Sequence, residues 1–216
     1  MKTRERILQT GLFLFNGEGT PHVTTVDIAN EMNISPGNLY YHFKGKEVII
    51  EALYHRFDEA LTDILQAPLK QKLQLEDSWY YIYVVFEEMY HYRFIYHNMS
   101  DLLQRHEVLQ KRFRRLLNLK AQTAMSMIKG LREANVLVLS DTAANVLVNN
   151  ITMTMTFWLV YAQLRDGQQS APALLHSAVF QVLSLLAPFL AKEKTEYLGL
   201  YQQFYAQALN QSEKSV

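Results

Sequence analysis

The chain has 216 residues, 49% of them hydrophobic and 19% charged, which suits one or two globular domains with a sizeable core and excludes a disordered chain. Its 21 Lys and Arg equal its 21 Asp and Glu, so bulk charge advertises neither a nucleic acid nor a membrane surface as partner. Cysteine is absent, which excludes disulfides, thiol redox sensing and cysteine-based metal sites.

The apolar spacing of Ile7, Leu8, Leu14 and Phe15 predicts a first helix over residues 3–16, ending near Gly17 and Gly19. The charged residues from Lys2 to Arg6 open this helix and do not read as a secretory signal. Thr24 is placed to cap a second helix over 25–32, with Asp27 as its capping-box partner and Val26, Ile28, Ala29 and Met32 as its apolar set. Asn33 and Ile34 make a turn, Asn33 being a residue type that tolerates left-handed backbone. Ser35 then caps a third helix with Pro36 at its first position, where a missing N–H costs nothing.

That third helix carries Gly37, Asn38, Leu39, Tyr40, Tyr41, His42 and Phe43, followed by Lys44 and Lys46. Leu39 and Phe43 alone suit a core. Three consecutive polar-tipped rings cannot share one buried helix face. Gly37 lets backbone approach another surface, and Asn38 offers a paired donor and acceptor. Helix, tight turn and second polar helix is the helix-turn-helix arrangement, whose second helix enters the DNA major groove. Lys44 and Lys46 fall where flanking phosphates lie. The first 50 residues carry five Lys and Arg against five Asp and Glu, so the argument rests on the motif and not on net charge.

Residues 3–50 resemble the DNA-binding domain of TetR-type transcriptional regulators. The matching pieces are Arg6-Ile7-Leu8 with Leu14-Phe15, then Thr24-Thr25-Val26-Asp27-Ile28-Ala29, then Ser35 to Phe43 and Lys46-Glu47. The resemblance implies that Tyr40 and His42 touch phosphates, that Tyr41 reaches bases or backbone, and that Gly37 and Asn38 approach base edges. It implies phosphate-positioning roles for Thr25, Ser35 and Lys46. It also implies a homodimer on a near-palindromic double-stranded DNA operator, an effector in the second domain, and a bacterial cytoplasmic, nucleoid-associated protein.

The remainder reads as helix throughout. A fourth helix is expected over 46–66, ending before Pro68; others over 76–91, 94–104, 107–134, 141–165, 172–191 and 195–211, with 212–216 as a frayed tail. The runs 142–164 and 167–191 lack charge and are long enough to span a bilayer, but their Asn, Gln, Thr, His and Pro are poor lipid-facing residues. They read instead as a buried core and subunit interface, with Val179, Leu183 and Leu186 as interface positions. Trp79, Tyr83, Phe86 and Tyr90 share one face of an aromatic helix, with Phe94 nearby. Asn150, Thr154, Trp158 and Tyr161 share a face of another. Such stripes suit either a core or the wall of a ligand cavity, the tyrosine hydroxyls favouring the latter.

Seven histidines form no His-Glu-x-x-His or comparable cluster, so no metal or cofactor is expected. No nucleophile elbow, phosphate loop or dinucleotide fingerprint points to an enzyme. The run Lys111-Arg112-x-Arg114-Arg115 alternates with apolar residues and reads as the solvated face of an amphipathic helix. The expected architecture is all-α. A three-helix helix-turn-helix domain over 1–47 precedes a helical effector-binding and dimerisation domain over 48–216, about nine to ten helices in all. The function expected is a dimeric transcriptional regulator, a repressor by the family's commoner habit, answering to a small, largely apolar or aromatic effector. The alternative is an architectural or protein-partner-controlled DNA-binding protein without a small effector.

Overall fold

The computed structural model describes residues 2–70, 75–167, 170–191 and 199. Among these, ten α-helices follow in chain order: α1 (Thr3–Glu18), α2 (Thr25–Glu31), α3 (Pro36–His42), α4 (Lys46–Lys70), α5 (Leu75–His91), α6 (Arg93–His97), α7 (Met99–Arg105), α8 (Glu107–Glu133), α9 (Asp141–Asp166) and α10 (Ala171–Ser184). The fold is all-α; extended pairing among the described residues is one bridge, Leu137 with Leu190.

Three expected boundaries move, each for a local reason. The helix expected over 94–104 breaks into α6 and α7 at Asn98, which ends α6 outside helical backbone (φ −113°, ψ 18°) while its N–H and its side-chain Nδ2 both donate to the Phe94 carbonyl, at 3.0 and 2.8 Å. α10 stops at Ser184 and yields to a 3-10 turn, Ala187–Phe189, because Pro188 cannot continue the ladder. α4 continues four residues past its expected end with Pro68 in its final turn, where proline removes one ladder bond and no more. The helix expected over 195–211 and the tail after it lie outside the described residues.

The chain forms two compact units, Met1–Ala60 with His91–Phe113, and Leu61–Tyr90 with the residues after Phe113. Both α4 and α8 belong to the two units in turn, so the sequence boundary at 47/48 does not coincide with a boundary between them. The first unit is built on α1 and α4. A Cβ on Gly11 would stand 3.1 Å from Ile49 Cγ2, so a side chain there would press that methyl back by a few tenths of an ångström. Ile7, Leu8 and Phe15 of α1 and Ile49, Leu53 and Phe57 of α4 are fully buried there. Phe15 meets Phe94 at 5.6 Å, and Phe57 meets Tyr92 and Tyr96 at 5.7 and 5.9 Å, which brings α6 into the same core. The Asn16 amide spans the α5–α6 junction: its Nδ2 donates to the His91 carbonyl at 2.8 Å, and its Oδ1 accepts from the Phe94 N–H at 3.0 Å. Arg56 closes a bidentate pair with Glu5, which holds the Glu5 carboxyl below its usual range.

The second unit packs α9 against α10 and includes α5 up to Tyr90 and the later turns of α8. After α8, Asn135 takes left-handed backbone (φ 55°) and the Val136 N–H returns to the Leu131 carbonyl at 2.8 Å. Ser140 then caps α9 by accepting from the Ala143 N–H at 3.2 Å. By length and composition the stretch Ala171–Phe189 is apolar enough to cross a bilayer, but its buried face is part of this unit's core.

Phe57→Ala is expected to lower stability by about 3–5 kcal/mol, because it removes a ring packed against several others and leaves a void. Urea unfolding monitored by circular dichroism measures this; a change below about 1 kcal/mol would show that the α4–α6 core does not carry the first unit.

Candidate nucleic-acid interface and second-unit cavity

α2 begins with a complete capping box. The Thr24 hydroxyl accepts from the Asp27 N–H at 3.2 Å, and the Asp27 carboxylate accepts from the Thr24 N–H at 2.8 Å. The same Thr24 contacts, side chain first, hold the Asp27 carboxyl below its ordinary range. After α2, Asn33 is left-handed (φ 54°) and the Ile34 N–H donates to the Ala29 carbonyl at 3.0 Å, closing the turn. Ser35 then caps α3, its Oγ accepting from the Asn38 N–H at 3.1 Å.

α3 buries Leu39, and Phe43 just beyond it, among the core residues of the first unit. Everything else on α3 stands outside or half outside. Gly37 and Asn38 are exposed, Tyr40 is 56% exposed and Tyr41 78%. A Cβ on Gly37 would meet no atom nearer than Ser35 Oγ at 3.9 Å, so the fold does not require glycine there. Lys44 Nζ lies 4.6 Å from the centre of the Tyr40 ring, and Tyr41 and His42 meet edge to face at 5.2 Å. Lys46 donates to the Thr20 carbonyl at 2.8 Å; an ammonium has two further protons for a phosphate. Beside it on α4, Glu47 Oε2 lies 2.9 Å from His106 Nε2, and Glu51 Oε1 lies 3.5 Å from His106 Nδ1. A flat, ring-rich outer face with cations at its rim matches a duplex groove and its phosphates.

The second unit holds a cavity of about 40 Å³. Its walls come from α4 (Leu65), α5 (Ser78, Tyr81, Ile82), α8 (Lys120, Thr123, Ala124, Met127, Ile128, Leu131), α9 (Ile151, Met155) and α10 with the residues after it (Val182, Leu183, Leu186). Lys120 is only 3% exposed, and its Nζ lies 3.5 Å from Thr156 Oγ1 and 3.6 Å from Met89 Sδ. Burial pushes its ammonium down to about 7. The buried Tyr81 hydroxyl oxygen has no hydrogen-bond partner, and burial raises the phenol's pKa. The first unit carries a larger groove of about 470 Å³, but it is open, polar in part and walled by the Glu5–Arg56 pair. Among the described residues no three His, Asp or Glu side chains gather as metal ligands.

Two family models match the chain. The model described as bacterial regulatory proteins of the tetR family matches residues 7–53, and the TetR model described as a bacterial transcriptional repressor matches residues 56–198. The chain belongs to the TetR family. It is a DNA-binding transcriptional regulator and not an enzyme. A TetR-family regulator of Marinobacter aquaeolei VT8 has the same fold, with a TM-score of 0.85, 29% identity, and coverage of 95% of this chain and 99% of that one. An uncharacterised helix-turn-helix regulator of Pseudomonas putida, TtgW, is 28% identical over 90 residues, which cover 42% of this chain and 64% of TtgW. A transcriptional regulator of Saccharomonospora viridis, in complex with choline, shares the fold with a TM-score of 0.67, 17% identity, and coverage of 88% and 98%.

Within this TetR fold, Gly37, Asn38, Tyr40, Tyr41, His42 and Lys44 stand together on or beside α3, while Thr25 and Ser35 begin the two motif helices. The residues expected at the ligand are placed elsewhere. Trp79 stacks on Tyr83 at 5.4 Å and on His176 of α10 at 5.3 Å, and Tyr83 meets His176 at a tilt, also at 5.3 Å. Phe86 is buried and Tyr90 half-buried, neither lining the cavity, and Phe94 packs on Phe15 in the first unit. Asn150 is exposed and Thr154 half-buried; Trp158 and Tyr161 meet at a tilt, 5.5 Å apart, under Arg165. On both α5 and α9 the cavity face is one residue away from the expected one: Ser78 and Ile82 instead of Trp79 and Tyr83, Ile151 and Met155 instead of Asn150 and Thr154.

The interface positions also change. Val179, Leu183 and Leu186 are 0, 2 and 7% exposed within a single chain, and the two leucines line the cavity, so they are core residues. The apolar residues that α9 leaves outside are Val146, Met153, Phe157 and Leu164, each about half exposed or more. Lys120 was not singled out from sequence, although a signal exists. It occupies the same helical stripe as Leu109, Phe113, Leu116, Ala124, Ile128 and Leu131, where its charge is out of place.

Gly37→Ala is expected to leave stability within about 1 kcal/mol of wild type, because its Cβ enters open space. Both Gly37→Ala and Tyr41→Ala should weaken cognate duplex binding, the latter by about 1–3 kcal/mol. Fluorescence anisotropy against cognate and scrambled duplexes reads this, and undiminished cognate affinity in both variants would remove α3 from the interface.

Proposed function

We propose that the chain is an effector-controlled repressor that acts as a homodimer on a near-palindromic operator, on the bacterial chromosome in the cytoplasm. Two copies would present α3 to successive major grooves, about 34–36 Å apart on one face of the duplex. Gly37, Asn38 and Tyr41 would approach base edges. Tyr40, His42, Lys44, Thr25, Ser35 and Lys46 would position the phosphates. The observation that carries the effector reading is the apolar cavity of the second unit, with Lys120 among its lining residues.

The cavity as it stands is small: by the same measure one water needs roughly 10–15 Å³. An organic ligand therefore has to open it, and Met127 and Met155 are the side chains best able to re-pack. Leu65, which lines the cavity, belongs to the same helix as Lys46 and Glu47 beside the recognition helix. Opening the cavity would displace α4 and change the separation of the two α3 helices. The effector acts only through its different affinity for the two states. That TetR-fold proteins accept small molecules is consistent with the choline complex, though a buried lysine is a poor host for a cation. The small volume also favours the second reading, a regulator controlled by a protein partner. A thermal-shift screen separates the two: a compound that both raises the melting temperature and releases operator supports the effector reading.

The exposed stripe of α9 is the surface proposed for the second copy, consistent with the late-helix dimers that family membership implies. Phe157→Glu should shift sedimentation toward monomer and weaken operator binding without altering α3. A wild type that sediments as a monomer at micromolar concentration would contradict the dimer.

A further inference from the structure

We propose that His106 is a positioning residue for DNA binding: its imidazolium holds the carboxylates of Glu47 and Glu51 and offsets their charge beside the phosphates that Lys46 receives. This rests on reading α3 and Lys46 as the DNA-contacting surface and goes further by adding a proton-dependent residue outside the helix-turn-helix.

Glu47 and Glu51 stand one turn apart on α4, directly after Lys46, and their side chains are half exposed or slightly more. A duplex is bound through cations that neutralise its phosphates. The start of α4 instead offers one cation and two anions, and a carboxylate a few ångströms from a phosphate repels it. Left unpaired, the two glutamates would work against Lys46.

His106 meets both of them. It lies between α7 and α8, its N–H donating to the Leu102 carbonyl at 3.1 Å and its carbonyl accepting from the Gln110 N–H at 3.0 Å, so both helices fix its backbone. The side chain is only 12% exposed, with Nε2 2.9 Å from Glu47 Oε2 and Nδ1 3.5 Å from Glu51 Oε1. A neutral imidazole has one N–H, so it donates to one carboxylate and turns a bare lone pair toward the other. The imidazolium alone offers an N–H to each. Charged residues next to it on the same elements are engaged elsewhere. Arg105 of α7 pairs with Asp101 at 2.7 Å, Glu107 of α8 with Lys111 at 2.6 Å, and Lys46 donates to the Thr20 carbonyl at 2.8 Å.

Histidine changes charge near neutrality, so this arrangement ties a proton to operator binding. As pH rises, the ring loses its second N–H, one carboxylate is released and a negative charge is added beside Lys46. Operator affinity therefore falls with rising pH, and binding of the duplex takes up a proton.

The test uses the full-length protein and a fluorescein-labelled duplex that the wild type has selected from a randomised pool, followed by anisotropy at constant ionic strength. From about pH 6 to about pH 8, wild-type affinity should fall at least about threefold further than that of His106→Gln, whose amide does not titrate. His22 and His42 are present in both proteins, so the comparison isolates His106. The double variant Glu47→Gln with Glu51→Gln should show the same reduced fall as His106→Gln and bind more tightly than wild type at the higher pH. Parallel profiles for wild type and His106→Gln, offset by a constant factor, would make His106 a structural residue only and overturn the proposal. So would a double variant that kept the wild-type fall; both its positions are exposed, so it decides the matter even where His106→Gln does not fold. Tyr41→Ala separates this from the reading beneath it. Undiminished binding by Tyr41→Ala would remove the α3 surface and the role of His106 together, whereas weakened binding with parallel profiles would overturn the role of His106 alone.

Discussion

The buried side chains that α1, α4 and α6 share, with Gly11 of α1 set against Ile49 of α4, form the frame on which DNA recognition depends. With a Cβ there, Ile49 would have to move, and Ile49 belongs to the apolar floor that receives the first unit's other side chains. α3 is seven residues long and buries Leu39 alone within its span, so it has almost no packing energy of its own. It is held by that frame, by the Ser35 cap and by Phe43 at its end. The economy is functional. A recognition helix that gave more side chains to the core would have fewer for the groove, and Gly37, Asn38, Tyr40 and Tyr41 are left outside because the frame does the holding.

Polar chemistry in the second unit works the other way round. There the helices are apolar on most of their surface, and the informative residues are the few that break the pattern. Thr123 donates its hydroxyl to the Leu65 carbonyl at 2.7 Å and Thr156 to the Thr152 carbonyl at 2.7 Å, both satisfying themselves on backbone. The buried Tyr81 hydroxyl of the same unit has no hydrogen-bond partner. A core that needed no ligand would be expected to satisfy its hydroxyls as the two threonines do.

What the sequence made legible follows from how local each signal is. The caps at Thr24 and Ser35, the left-handed Asn33 and the two-helix motif are written in neighbouring residues, and the motif's place in the fold follows from them. The helix break at Asn98 comes with a side-chain contact four residues back, a subtler local signal that periodicity passes over. The cavity was harder. On α5 and α9, apolar and aromatic residues occur on nearly all sides, so periodicity could not choose a face, and a one-residue error rotated Trp79 and Tyr83 into the place of Ser78 and Ile82. The same ambiguity on α10 turned the core residues Val179, Leu183 and Leu186 into interface candidates. On α8, by contrast, the amphipathic pattern was strong, and Lys120 on its apolar stripe was there to be read.

The central claim is that occupancy of the cavity changes the separation of two α3 helices in a dimer. The chain has no cysteine, so Glu31→Cys, on an exposed position at the end of α2 and outside the proposed DNA contacts, takes a single spin label per copy. Pulsed dipolar spectroscopy of the labelled protein then measures the distance between the two copies. With operator bound, the account predicts a narrow distribution compatible with recognition helices about 34–36 Å apart. A compound that raises the melting temperature in the thermal-shift screen and releases operator should move that distribution by several ångströms. An unchanged distribution under such a compound, or the absence of any dipolar coupling between copies, would contradict it.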